Sequence, residues 1–270
     1  MNDVVLLTGA TGYVGGYVAR ELLARGLEVR TLGRHGCDIT QDLGDPPGAA
    51  AAVAETAPRW VLNCGAVANM LACQEDPQRA SAVNAKAPVA MVKAAPHRFL
   101  QVSTDLVFAG DEAPYKSSAT PSPLSVYGMT KAEAEKVAKV QGTVVVRVPL
   151  LFGPSPDQQR GATDMLLRAI RDKQAVILFT DEFRTPLHAA DAARGLVDIL
   201  LDEDAVGTRH LGGYERVSRF DLAMRLAKVK DLPIDWFDQG LLDDPRRPRD
   251  VSLTGDWEPG RELDDALAES

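Results

Sequence analysis

The stretch LLTGATGYVGGYVARELLARG, residues 6–26, decides the fold. An apolar run ends at Thr8, glycines follow at Gly9, Gly12 and Gly15, and a helical pattern runs from Val14 to Arg25. Each glycine has a separate physical role, in turn a tight turn, a close approach of backbone to a pyrophosphate, and close packing of helix on strand. The start of the helix offers unpaired N–H groups and positive potential to phosphates. The spacing is GxxGxxG rather than GxGxxG, so the motif draws its force from the strand-loop-helix setting, which points to dinucleotide binding.

Outward from this loop, Val/Leu/Ile-rich strands are expected near residues 3–8, 27–33, 59–64, 98–103 and 143–148, alternating with helices such as Val14 to Arg25 and Lys131 to Val140. That alternation implies βαβ units and a parallel sheet. VVLL and TVVVRV are almost unbroken apolar runs, as expected where helices cover both faces of a sheet. The fold class is therefore α/β, a doubly wound, Rossmann-like parallel sheet. Between Cys37 and Pro58, CDIT allows only a very short strand, and GDPPGAAAAVAETAPR reads as a proline-rich turn and an alanine-rich helix. Pro88 predicts a kink or a second helix starting near it, because it lacks a backbone donor. After Gly153 the elements shorten: a helix over Ala189–Leu201, a strand near RHLGG (209–213), and a helix over Phe220–Val229 capped by Ser218. We expect a cofactor-binding domain over 1–153 and a smaller α/β substrate lobe over 154–270, partly interleaved with the sheet, with ligand bound between them.

Composition narrows the class. The chain has 270 residues, 45% of them hydrophobic and 25% charged, enough for a sizeable core and unlike a disordered or fibrous chain. A net charge of -8 disfavours nucleic-acid or anionic-membrane partners, and the one basic run, RRPR at 246–249, is short. No apolar run reaches the ~18 residues of a membrane span, so a cytoplasmic protein is expected, and a homodimer is left open. Cys37, Cys64 and Cys73 lack CxxC spacing, so neither a disulfide framework nor a metal site is expected.

SVYGMTK places Tyr127 and Lys131 one helical turn apart, on one face. A phenol of pKa ~10 is a poor acid at neutral pH, and a nearby cation would lower that value. Such a phenol can protonate the alkoxide formed when hydride reaches a carbonyl. YxxxK also occurs as a tyrosine packed along a lysine stem; here it follows both the glycine loop and the strand RFLQVST, whose end presents Ser103, Thr104 and Asp105 at the ligand edge of the sheet. The Thr104 hydroxyl would hydrogen-bond the same carbonyl oxygen. At the end of the second strand, RTLGRHG sets Arg34 where a carboxylate would take a ribose hydroxyl. This favours NADP, while Asp38 keeps NAD open and Arg34 as a solvated charge is the alternative.

TGATGYVG, STDLVF, SVYGMTK and VRVPLLFG, with EFRTPLHAADAARGL and RRPRDVSL, resemble the extended short-chain dehydrogenase/reductase superfamily, and within it the dTDP-4-dehydrorhamnose reductase family. The similarity covers most of the chain, Met1 to Leu253. It implies a catalytic set of Thr104, Tyr127 and Lys131, with Lys131 also holding the nicotinamide ribose. It implies that Gly9, Thr11, Gly12, Tyr13 and Val14 cradle the pyrophosphate, Asp38 and Ile39 lie by the adenine, Cys64, Gly65 and Ala66 line the cofactor's spine, and Arg34 faces the 2'-phosphate. The implied reaction is NADPH-dependent reduction of a keto group on a nucleotide-linked sugar. Asp105, Arg184 and Thr185 become substrate contacts and Arg247 a diphosphate contact, although loop arginines also serve as paired surface charges.

Three positions depart from that family. Leu150 replaces a pocket tryptophan, Tyr17 replaces an acidic metal position, and Leu106 replaces an aromatic residue, which leaves the sugar open. Leu106 after Thr104-Asp105 disfavours a dehydratase, and the lack of a cysteine beyond Cys73 disfavours an epimerising reductase. His188 either touches substrate or caps the following helix, while His35, His97 and His210 look incidental. The loop Asp111–Ser125 is either a mobile wall over the substrate or an ordered surface loop. A rival reading is a non-catalytic NADP-binding regulatory subunit, since that of methionine adenosyltransferase resembles the same family.

Overall fold

The computed structural model describes residues 2–94 and 98–270, so His97 lies outside the described residues. The first half builds β1 (Asn2–Thr8), α1 (Tyr13–Ala24), β2 (Glu28–Gly33), β3 (Ile39–Thr40), α2 (Pro46–Thr56) and β4 (Pro58–Asn63). Asp45 caps α2 by accepting from Gly48 N, with prolines in the first turn where their missing donors cost nothing. Next come α3 (Met70–Glu75), α4 (Pro77–Ser81), a π-helical turn (Ala82–Lys86) and α5 (Ala87–Ala94). Pro88 thus stands in the first turn of α5, directly after the π-helical turn.

β5 (Arg98–Thr104) leads through a short 3-10 turn to α6 (Val126–Ala134), then β6 (Thr143–Val148), β7 (Leu151–Phe152), α7 (Ala162–Arg171) and β8 (Val176–Phe179). The expected helix Lys131–Val140 is displaced. Ser125 caps a helix that starts at Val126, and the chain tightens to 3-10 over Glu135–Lys139. The rest comprises β9 (Phe183–Arg184), β10 (Leu187–His188), α8 (Ala189–Leu201), β11 (Gly207–His210), β12 (Val217–Ser218), α9 (Arg219–Lys230), β13 (Phe237–Gly240) and α10 (Leu263–Ala268).

Seven strands form one parallel sheet in the order β11-β6-β5-β4-β1-β2-β3. Alternation along β1 sends Val5 and Leu7 to one face, under α1 and α8, and Leu6 to the other, under α2 and α5. Side chains such as Leu6, Leu62 and Phe99 are fully buried, worth about 1.5–3 kcal/mol each. A third apolar cluster joins α7, α9, α10, β8 and β13 beside the sheet, while α8 and β11 return to the sheet itself. From β1 the chain winds outward through β2 and β3, then crosses back to β4 on the other side. That reversal opens a crevice at the carboxyl ends of β1 and β4, the usual ligand position in open α/β sheets. Among the described residues no helix is long and apolar enough to cross a membrane.

Candidate functional site

The crevice is shaped by backbone proximity. Gly9 has φ +71°, and a Cβ there would lie 2.7 Å from Gly65 N; a Cβ on Gly15 would collide with the Gly9 carbonyl. Side chains at these positions would push the loop off the Cys64–Gly65 backbone and off the start of α1, so glycine keeps the loop close to the helix N-terminus, whose N–H donors suit an anion. Beneath it runs a buried polar chain. Thr8 Oγ1 accepts from Gly65 N at 3.0 Å and donates to Asn63, which donates to Gln101 at 2.7 Å, which donates to the Val102 carbonyl at 2.7 Å. Every link is satisfied, which fixes the spine Cys64–Ala66 against the glycine loop.

One groove from this crevice is lined by Gly9, Thr11, Gly12, Leu32, Gly33, Arg34, Asp42, Leu43, Cys64, Gly65, Ala66 and Arg79, among others. Arg34 stands on it beyond the end of β2, where a 2'-phosphate would be read. Asp38 and Ile39 are not on it, which corrects the sequence expectation. Asp38 accepts from the Thr31 amide and hydroxyl, both at 2.8 Å, and Ile39 faces another depression beside Val4, Glu28 and Glu55. Asp42 and Leu43, the next acidic-apolar pair along, line the groove instead. Asp42 is held by Arg79 through bonds of 2.8 and 2.6 Å, which keep its carboxyl below the usual range.

A second cleft, of about 760 Å³, shares Gly9, Gly12, Cys64, Ala66 and Arg160 with this groove and continues past Tyr13 and Val14 to Thr104, Asp105, Tyr127 and Lys131. The three catalytic candidates therefore border one space. Ser125 Oγ accepts from Gly128 N at 3.1 Å and so starts the helix that carries Tyr127 and Lys131. Asn84, in the π-turn, accepts from Val67 N at 2.8 Å and donates to Thr130 at 3.1 Å, latching that helix to the spine. Its role went unread in the NAKAP segment. Lys131 Nζ donates to Val102 O at 2.6 Å, joining the polar chain below, and burial lowers its pKa to about 8.

The expected acidification of Tyr127 by lysine is not what the site does. Burial raises the phenol above its ordinary value of 10, Asp105 adds to the rise, and Thr104 opposes it. Tyr127 therefore keeps its proton at neutral pH, the state a proton donor needs. Asp105 is 3% exposed; its Oδ2 has no hydrogen bond and faces Arg184 Nε at 3.5 Å. Burial pushes its pKa up to about 6. Burial also pushes the Cys64 thiol up to about 12, so that it is no nucleophile.

The cleft is also lined by Leu150, Met165, Arg168 and Arg219. Arg184, Thr185 and Arg247 do not line it. Arg184 is buried against Glu182 at 2.9 Å, and the Thr185 hydroxyl accepts from Leu253 N at 3.2 Å. Arg247 closes on Glu182 at 2.7 Å and borders a separate depression with Leu242 and Asp244. Arg219, missed in the sequence, begins α9 and carries no hydrogen bond or ion pair on its guanidinium among the described residues. Burial lowers its pKa to about 10. Its signal was only the Ser218 cap, which fixes where α9 begins and so aims the next side chain.

His188 caps α8, accepting from Ala190 N at 3.1 Å through Nδ1. The 111–125 loop is tied down: the Tyr115 hydroxyl accepts from the amides of Gly110, Asp111 and Glu112 at 3.0–3.1 Å, and its ring stacks on Phe108. That loop does not line the cleft. Among the described residues no three His, Cys, Asp or Glu side chains gather as a metal site.

The fold occurs in known proteins. The model of the RmlD substrate binding domain family matches residues 1–235. The chain is 29% identical over 274 residues to methionine adenosyltransferase 2 subunit beta of Bos taurus, covering 93% of this chain and 80% of that protein. It is 26% identical over 258 residues to a Haloferax volcanii protein named "Probable low-salt glycan biosynthesis reductase", covering 90% of this chain and 85% of that one. The crystal structure of dTDP-4-dehydrorhamnose reductase from Bacillus anthracis in complex with NADP superposes with a TM-score of 0.87 at 18% identity, over 99% of this chain and 98% of that one.

Proposed function

The chain belongs to the RmlD substrate binding domain family, and from that membership we propose that it reduces a keto group on a nucleotide-linked sugar, with NADPH as cofactor and Tyr127 as proton donor. One observation carries this reading. Thr104, Tyr127 and Lys131 border a cleft that is continuous, through Gly9, Gly12, Cys64 and Ala66, with a groove ending at Arg34. The glycine loop, whose close packing on Gly65 and on the start of α1 admits no Cβ at Gly9 or Gly15, suits the cofactor's diphosphate. Arg34, exposed on that groove, selects the 2'-phosphate of NADP. When bound, the cofactor supplies the hydride.

The chain's own residues supply the remainder. Tyr127, kept as a phenol by burial, gives its proton to the carbonyl oxygen, which becomes a hydroxyl. The Thr104 hydroxyl, which donates to Asp105 Oδ1 at 3.1 Å, turns to donate to that oxygen as negative charge gathers on it. Lys131 holds the nicotinamide ribose and restores charge near the phenolate that Tyr127 leaves. Arg219 and Arg168 meet the anionic end of the substrate, and Leu150 bounds its sugar. Residues 1–153 then form the cofactor-binding domain and 154–270 the substrate lobe, apart from α8 and β11, which return to the sheet.

The test is loss of NADPH absorbance with a dTDP-4-keto-6-deoxy sugar. Tyr127→Phe is expected to abolish turnover while leaving NADPH affinity nearly unchanged. Equal turnover in wild type and variant would remove Tyr127 from the mechanism. A second reading has its own support, the 29% identity to a protein named as a methionine adenosyltransferase subunit: a cofactor-binding partner of another enzyme. Copurification with a methionine adenosyltransferase, together with no turnover on any keto sugar offered, would favour it.

A further inference from the structure

The groove and the cleft meet at a waist beside Gly9 and Gly12, and one cation borders both: Arg160. It belongs to a strap, residues 153–161, that leads into α7 and lies across the glycine loop. Three contacts hold the strap there. Tyr13 Oη donates to Gly153 O at 2.7 Å, Tyr17 Oη to Pro154 O at 2.6 Å, and Arg160 Nη1 to Thr11 O at 3.0 Å. The packing is close, since a Cβ on Gly161 would lie 2.7 Å from Tyr13 Oη. Asp164, 4% exposed, shapes the strap from within by accepting from the amides of Ser155, Arg160 and Gly161 at 3.0–3.2 Å. Arg160 is therefore presented from a formed turn, and Asp157 fixes its Nε at 2.7 Å. Its Nη2 has no protein partner among the described residues.

We propose that Arg160 is a cofactor-binding residue, a clamp that reaches over the glycine loop and pairs with the diphosphate of NADP, and that the strap closes that part of the groove. The inference rests on the reading of the groove as an NADP site. The glycine loop meets a diphosphate with backbone donors and the positive end of α1, and a cation beside it adds a charge-assisted bond that those neutral donors do not supply. Arg34 is placed for the 2'-phosphate at the far end. Arg79 is already paired with Asp42, and Lys131 is bound to the Val102 carbonyl. Among the described residues Arg160 is the one cation that borders both spaces, and although Asp157 holds its Nε, its Nη2 is left for a ligand. Its bond to the Thr11 carbonyl is a single neutral-acceptor contact on a half-exposed side chain, which a phosphate oxygen replaces with a stronger, charge-assisted one.

The experiment measures affinities rather than turnover. NADP+, 2'-AMP and dTDP are titrated by calorimetry into wild type, Arg160→Ala, Arg160→Lys and Arg34→Ala, with dTDP added to NADP+-saturated protein. Arg160→Ala is expected to weaken NADP+ by roughly tenfold, as for loss of one partly exposed charge-assisted contact. It should leave 2'-AMP, which has no diphosphate, unchanged, and Arg160→Lys should recover part of the loss. Arg34→Ala should weaken both ligands. If Arg160→Ala binds NADP+ as wild type does, weakens 2'-AMP equally, or weakens dTDP alone, the clamp is refuted while the cofactor reading stands. If wild type binds no NADP+, both fall. Circular dichroism and melting of each variant separate misfolding from loss of contact, and Arg160→Gln, which keeps the strap's bulk, gives a second variant with the same expected loss.

Discussion

Replacing Asp105 with Asn should make the protein's stability respond differently to pH, with a size that follows from the burial of this carboxyl. Asp105 is raised from 3.8 to about 6 by burial, against the pull of Arg184, Thr104 and the Leu106 amide, with Glu182 adding to the rise. A carboxyl whose folded pKa exceeds its unfolded value holds a proton in the native state through a window where the unfolded chain has released it. Its contribution to stability is whole below about pH 4 and is lost as pH climbs through about 6. The complete change corresponds to about 3 kcal/mol. Between pH 5 and pH 8, the part that is lost amounts to about 1.4 kcal/mol.

Asn at this position is neutral at every pH and nearly isosteric. The unfolding free energy of Asp105→Asn minus that of wild type should therefore rise by about 1.4 kcal/mol on going from pH 5 to pH 8. Urea unfolding of both proteins at the two pH values measures it, and taking the difference cancels every other titrating group. An equal difference at both pH values would refute the reasoning and place Asp105 in contact with water or fully paired by Arg184. The same substitution removes the titrating carboxylate whose charge adds to the rise that burial gives the Tyr127 phenol, so any acid limb near pH 6 in the activity profile should vanish with it.

Three other outcomes follow from named contacts. Arg219→Gln should raise KM for the nucleotide sugar by roughly tenfold with kcat and NADPH affinity little changed, because the lost contact is made equally in ground and transition states; a fall in kcat at constant KM would contradict an anchoring role. Glu135→Ala strands Arg147, whose Nε and Nη2 lie 2.9 and 2.7 Å from the Glu135 carboxylate in a site 3% and 6% exposed. Thermal and urea unfolding should show a loss of about 3–5 kcal/mol, most of it recovered in Glu135→Leu/Arg147→Met; equal losses in single and double variants would refute the pairing account. His188 and His210 are held near 4 by burial, a depressed folded pKa, so stability present above about 6.5 is lost as pH falls toward 4. His210→Asn should lose less between those values in urea unfolding, and a slope equal to that of wild type would show that His210 charges without unfolding.

Much of the scaffold was legible because local and tertiary demands agree. The run Thr143–Val148 and the helix Ala189–Leu201 form over the residues the sequence suggested, since unbroken β-branched runs and long amphipathic patterns leave little choice. Where two demands compete, reading from sequence fails. Lys131–Val140 has a helical pattern, yet the Ser125 cap starts the helix at Val126 rather than at Lys131, and the segment Glu135–Lys139 tightens where Glu135 must meet Arg147 across the sheet. Asp38-Ile39 and Asp42-Leu43 are equally plausible acidic-apolar pairs; only the pairing of β3 with β2 sends Asp38 to Thr31 and leaves Asp42 on the groove.

The arginines show most clearly why the candidate site was only half visible. In sequence Arg184 and Arg247 carry motif context, whereas Arg168 and Arg219 do not. In the fold, Glu182 takes both Arg184 and Arg247, and Asp42 takes Arg79. Glu182 is buried and Asp42 is partly exposed, and a guanidinium held by such a carboxylate has less left for a ligand and serves to hold a wall in place. Among the described residues Arg34, Arg168 and Arg219 have no such partner, and each borders the groove or the cleft. Leaving a cation unpaired beside a protein interior costs stability unless something anionic arrives to meet it. Half-buried Arg168 and Arg219 border the cleft where the proposed phosphorylated substrate would lie, and exposed Arg34 borders the groove proposed for the phosphorylated cofactor.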